Sequence, residues 1–138
     1  MNFNKTTEYA FRILSFMAQD ESRLYTVDEI FNKHQIPYRY LRKLMTSLTR
    51  SGFIVSIQGK NGGYIISKNT DDIKLLDILN AIDPDYLSGK CFFGFENCAL
   101  QTACIMHDQW IDIRTNINAT LANTSLSDIK QTKMIISS

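Results

Sequence analysis

The chain has 138 residues, 44% hydrophobic and 21% charged, which is enough for one ordinary hydrophobic core with an appended arm. Its polar opening, Met1 to Glu8, and the lack of any apolar run near membrane-span length argue against an exported or membrane protein, so a cytoplasmic one without membrane partners is expected. The net charge of +1 hides an asymmetry: residues 1–63 carry nine Lys/Arg against five Asp/Glu, and residues 64–138 carry six against nine. Only the first half has the balance that neutralising phosphates requires.

Asn4 or Thr6 is placed to cap a first helix in which Ala10, Phe11, Ile13, Leu14, Phe16 and Met17 recur at helical spacing, before the polar break at 19–23. Thr26-Val-Asp-Glu29 has the form of a capping box, so a second helix is predicted to about His34, with Val27, Ile30 and Phe31 inward and His34 at the surface. Pro37 suits the first turn of a third helix running to Ser51 and ending at Gly52. Two short helices joined by a tight turn make a helix-turn-helix.

In that third helix Leu41, Leu44, Met45 and Leu48 follow the i, i+3, i+4, i+7 spacing of one face. Arg39, Arg42, Lys43 and Thr46 repeat the spacing on the opposite face. Residues 53–57 and 64–66 read as two strands around Gly59-Lys-Asn-Gly-Gly63, whose Asn-Gly pair fits a hairpin turn. The hairpin becomes the wing of a winged helix-turn-helix. A solvated cationic face is common in proteins that bind no DNA, but here it falls on the helix suited to the major groove and in the only basic half of the chain. The DNA-contacting set expected on this ground is Tyr38, Arg39, Arg42, Lys43 and Thr46 on the helix, with Gln58, Lys60 and Asn61 in the wing. Arginines suit guanine edges, whereas lysines and wing amides more often hold phosphates.

A short helix follows over 74–82, ended by Asp83-Pro84. Cys91, Cys98 and Cys104 then lie within fourteen residues, His107 comes one helical turn later, and there is no other cysteine. This C-x6-C-x5-C-x2-H spacing supplies soft thiolates and an imidazole, the ligand set of iron-sulfur clusters or zinc. In a reducing compartment an odd number of close thiols points to metal ligation or redox sensing before a structural disulfide. A Cys3His zinc site and an iron-sulfur site are equally compatible with these residues. From Cys104, the residues Met106, Trp110, Ile113, Ile117 and Leu121 form an apolar stripe along a long helix that needs a partner. Ser125-Leu-Ser-Asp128 can cap a last short helix, and residues 131–138 are expected to fray.

Taken together, Pro37-Tyr-Arg-Tyr-Leu-Arg-Lys-Leu44, Ser51-Gly-Phe-Ile-Val55, Gly59-Lys-Asn-Gly-Gly-Tyr64 and the three cysteines resemble the Rrf-two family of bacterial transcription regulators, which includes IscR and NsrR. The resemblance spans roughly residues 1 to 130. It implies a homodimer joined by the long C-terminal helix, palindromic operators in double-stranded DNA, and an iron-sulfur cluster whose presence sets DNA affinity. Cys91, Cys98 and Cys104 match the family's cluster thiolates, His107 matches the fourth ligand of IscR-like members, and Glu8 stands where NsrR-like members use an acid from the partner subunit. Two departures are visible: the first two cysteines are spaced one residue differently from the IscR pattern, and Gln58 replaces an arginine common in relatives.

The fold expected is mainly α with a small β-hairpin wing: a winged helix-turn-helix DNA-binding domain over 1–67, a linker helix and cysteine-bearing cluster loop over 68–103, and a dimerisation helix and C-terminal tail over 104–138. The function expected is that of a non-enzymatic transcription regulator of repressor type, governed by a 2Fe-2S or 4Fe-4S cluster that senses redox state, nitric oxide or iron-sulfur status. A zinc- or thiol-based regulator is the alternative, and an iron-sulfur carrier or assembly scaffold is the rival from another class.

Overall fold

A computed structural model describes residues 3–87, 91–95 and 104–130. Cys98 and the tail over 131–138 lie outside them. Helix α1 (Lys5–Met17) is capped by Asn4, not Thr6: the Asn4 Oδ1 accepts the Thr7 N–H at 2.8 Å. Ala10, Ile13, Leu14 and Met17 are completely buried, which makes α1 the centre of the core. In α2 (Val27–His34) the Thr26 hydroxyl accepts the Glu29 N–H at 3.1 Å, but the reciprocal half of the capping box is missing. The Glu29 carboxylate instead takes Arg23 Nη1 at 2.7 and 2.9 Å, and that guanidinium lies 3.9 Å over the Tyr25 ring. An ion pair with an aromatic platform has outcompeted a single bond to the backbone.

Gln35, at φ 54°, ends α2 and turns the chain through buried Ile36 into α3 (Tyr38–Arg50). Pro37 precedes this helix as its cap, one position before the first turn. Leu41, Leu44, Met45 and Leu48 are buried against α1 and α2, while Arg39, Arg42, Lys43 and Thr46 are exposed, as the spacing predicts. Strands β1 (Ile54–Ile57) and β2 (Gly63–Ile66) pair antiparallel, with Ile54 opposite Ile66 and Ile57 opposite Gly63. The wing turn differs from the expected Asn-Gly form. Its positive φ, +114°, falls on Gly59, whose carbonyl accepts the Gly62 N–H at 3.1 Å. A side chain at Gly62 would put Cβ 2.1 Å from the Ile57 carbonyl oxygen, so only glycine closes this loop. Tyr25 exchanges two 2.8 Å backbone hydrogen bonds with Tyr64, tying the wing to the segment before α2.

Helix α4 (Leu75–Ile82) packs on α1 and on α5 (Ile105–Ala122). The last helix, α6 (Leu126–Ile129), opens on the predicted capping pair: the Asp128 N–H donates to Ser125 Oγ at 3.1 Å and the Ser125 N–H donates to the Asp128 carboxylate at 2.9 Å. Leu126 inserts fully buried into the same core as α1, and two 2.9 Å backbone bonds, Leu75 N–H to Thr124 and Leu126 N–H to Ile73, fix α6 beside the start of α4. The C-terminal end of α5 is therefore anchored while its length stays open to solvent. Among the described residues no helix is long and apolar enough to cross a membrane.

His34 is not the surface residue the sequence suggests. Its ring stands edge-on to Phe16 at 5.3 Å and its Nε2 is buried without a hydrogen-bond partner. Loss of solvent, with the charges of Lys33 and Arg12, holds its pKa below the ordinary 6.5. A histidine kept neutral by the fold contributes stability above its unfolded pKa and loses it as pH falls from there through the lower folded value. The urea midpoint of the wild type is expected to fall as pH drops below 6.5, and that of His34→Gln to stay flat in the same window. The hydrogen-bonded carboxylates of Asp20 and Asp128, held below 3.8, give up their contribution only at more acidic pH. Parallel pH profiles for both proteins would remove His34 as the cause.

Candidate nucleic-acid interface and cysteine site

The exposed face of α3 is ordered by aromatic contacts. Tyr38, at the first turn, packs edge-on to Phe31 of α2 at 5.7 Å, and the Arg42 guanidinium stands 5.8 Å from the Tyr38 ring centre. This restrains one arginine before any nucleic acid arrives, lowering the ordering cost of a contact. Arg39 and Lys43 are exposed and make no ion pair among the described residues. Thr46 is exposed, but its hydroxyl donates to the Arg42 carbonyl at 3.0 Å, which leaves its oxygen lone pairs as the outward function. In the wing Gln58, Lys60 and Asn61 are all exposed, and Gln58 Nε2 donates to Ser56 Oγ at 3.0 Å. The helix and wing residues expected to meet DNA are therefore all exposed. Sequence reasoning missed Tyr25, whose pairing with Tyr64 steadies the wing; it stands outside any strand-like run and gives no periodic signal.

The described cysteines frame the second site. Cys91 and Cys104 are free and half-buried, one in a tight loop and the other as the cap of α5. The loop closes on itself: the Gly94 N–H donates to the Cys91 carbonyl at 2.9 Å, the Cys91 N–H donates to the Phe95 carbonyl at 3.3 Å, and Gly94 takes φ +87°. The Phe93 N–H points at Cys91 Sγ at 3.4 Å. Amide donation to sulfur is the kind of outer contact that supports a thiolate bound to metal. His107 lies half-buried in the first turn of α5, its N–H donating to the Cys104 carbonyl at 3.2 Å. Glu8 on α1 pairs with Lys5 at 3.3 Å. Among the described residues no three metal-ligating side chains converge; the sulfur donors present, one already supported by an amide, fit a soft metal or cluster by type.

Comparison with known proteins agrees with this architecture. The family model Rrf2, described as an iron-dependent transcriptional regulator, matches residues 3–132. The chain is 30% identical over 131 residues to an HTH-type transcriptional regulator of Aquifex aeolicus, covering 94% of this chain and 91% of that one. It is 31% identical over 108 residues to the HTH-type transcriptional regulator NsrR of Oceanobacillus iheyensis, covering 77% and 74%. The fold is similar to that of CymR, the global cysteine regulator of B. subtilis, with a TM-score of 0.82, 21% identity, and 96% and 98% of the two chains covered. With a winged helix-turn-helix, an exposed cationic face on its third helix and a family match across nearly its whole length, the chain belongs to the Rrf2 family of transcriptional regulators.

Proposed function

We propose that the chain acts in the cytoplasm as a homodimer on a palindromic operator, reading DNA with α3 and the wing and responding through a group held at the cysteine site. The observation that carries the DNA reading is the face of Arg39, Arg42 and Lys43, exposed and opposite a fully buried one on the same helix. Cys91, Cys98 and Cys104 would hold an iron-sulfur cluster, with His107 or Glu8 as the fourth ligand. When bound, such a cluster supplies reactivity toward oxidants and nitric oxide. His107 is favoured over Glu8 because it shares the first turn of α5 with the Cys104 cap and needs no assumption about a partner subunit. The second reading, a zinc- or thiol-based switch, draws on the same half-buried thiols, Cys91 and Cys104, whose residue type suits either group. A carrier or scaffold role gives the cationic recognition helix nothing to do.

Anaerobic purification tests the choice. Visible absorption with iron and sulfide is expected, and zinc alone would favour the second reading. Cys98→Ala is expected to abolish the absorption. His107→Ala is expected to shorten the lifetime of the absorption in air and to shift operator affinity, with Glu8→Ala as the competing variant. If neither change alters absorption, air stability or operator affinity while Cys98→Ala does remove the absorption, the fourth-ligand assignment fails.

A further inference from the structure

A cavity of about 290 Å³ opens between the start of α1, the side of α3 and the end of α4, lined by Thr6, Tyr40, Lys43, Leu44, Ser47 and Ile82. Four of these, Tyr40, Lys43, Leu44 and Ser47, follow the i, i+3, i+4, i+7 spacing and so form one stripe of α3. At about 100° per residue the stripe lies between the buried face of Leu41, Met45 and Leu48 and the DNA face of Arg39, Arg42 and Thr46. Lys43 sits on its DNA-side border. The lining has the composition of a small-ligand site, an apolar wall from Leu44 and Ile82 with a few convergent polar groups. The Thr6 and Tyr40 hydroxyls are hydrogen-bonded to each other, which orients them, and Lys43 has no ion pair among the described residues. Asp83, the acid next to Ile82, is engaged by Asn4 Nδ2 at 3.2 Å.

We propose that this cavity binds a small carboxylate with an apolar body, its head on the Lys43 ammonium and the hydroxyls of Tyr40 and Ser47, its body against Leu44 and Ile82. An ammonium holding the carboxylate is unavailable to a DNA phosphate, so the ligand lowers operator affinity independently of the cysteines. The size of the cavity limits the ligand to roughly a single ring or a short chain.

Calorimetric titration of the DNA-free protein with benzoate and butyrate, against benzamide and butyramide, tests binding without reference to DNA. Saturable binding of the acids and none of the amides is expected. At constant ionic strength the acids should weaken operator binding several-fold, an effect lost in Ser47→Met and Ile82→Phe, which fill the cavity and replace none of the DNA-facing residues. Two substitutions guard against one that misfolds, and retained operator binding without ligand certifies each. No saturable binding at millimolar acid, equal binding of the amides, or an equal effect of chloride overturns the proposal. Failure of operator binding in the ligand-free wild type would instead strike the DNA reading.

Discussion

Replacing Arg39 and Arg42 together by alanine is expected to remove sequence-specific operator binding while leaving the fold intact. Both side chains lie on the exposed face of α3, Arg42 restrained beside Tyr38, and neither contributes to the core. Surface substitutions of this kind usually change stability by less than about 0.5 kcal/mol. An arginine that reads a base is worth on the order of 1 to 3 kcal/mol, so the pair should cost roughly 30-fold to 10⁴-fold in affinity if the losses add. Mobility-shift titrations at several salt concentrations separate this from charge loss alone. Lys60→Ala, at the wing tip, should weaken all sequences alike and reduce the salt slope by about one. A double arginine variant that bound its operator normally would show that α3 is turned the other way.

Helix α3 was legible because one helix carried two complementary patterns, four apolar residues that must be covered and four polar ones that need not be. Its buried residues, its C-terminal turn and the Ser125 cap of α6 all follow from local chemistry. What was not legible depends on groups far apart in the chain. Glu29 turns from its own backbone to Arg23 because Tyr25 offers that guanidinium a platform, and His34 is half-buried with its Nε2 covered because Phe16 of α1 packs across it. The wing turn places its strain at Gly59 because Gly62 is occupied by a close approach to the Ile57 carbonyl, a contact that only the closed loop reveals. For the cysteines, residue types and spacing announced the chemistry, whereas the Phe93 amide on Cys91 Sγ required coordinates. The cavity beside α3 draws on three helices, and no stretch of sequence contains it.

Ile117→Glu is expected to convert a dimer into a monomer and, with it, to abolish high-affinity binding to a two-fold symmetric operator. Of the eighteen residues of α5 only Leu121 is buried, whereas Ile105, Ile111 and Ile113 are 78%, 38% and 42% exposed. The half-buried Met106, Trp110 and Ile117 share one stripe with Ile113 and Leu121, Ile105 and Ile111 standing about a third of a turn to either side of it, and Phe92 of the cysteine loop packs on Trp110 at 5.4 Å. An anchored helix that leaves so much apolar surface uncovered is best explained by a second copy laid along it, since a like surface is then covered twice by one contact. A carboxylate at Ile117 would be buried in that contact without a partner, a penalty of several kcal/mol, met twice in a symmetric pair. Thr115→Glu, about half a turn round the helix from the stripe, should be tolerated. Two readers held by one α5 pair would address half-sites spaced by about 34 Å or a multiple of it, whereas a monomer holds only one. Light scattering at micromolar concentration with operator titration of both variants decides the matter: a monomeric wild type, or an Ile117→Glu protein that remains dimeric and binds normally, would rule out α5 as the seam.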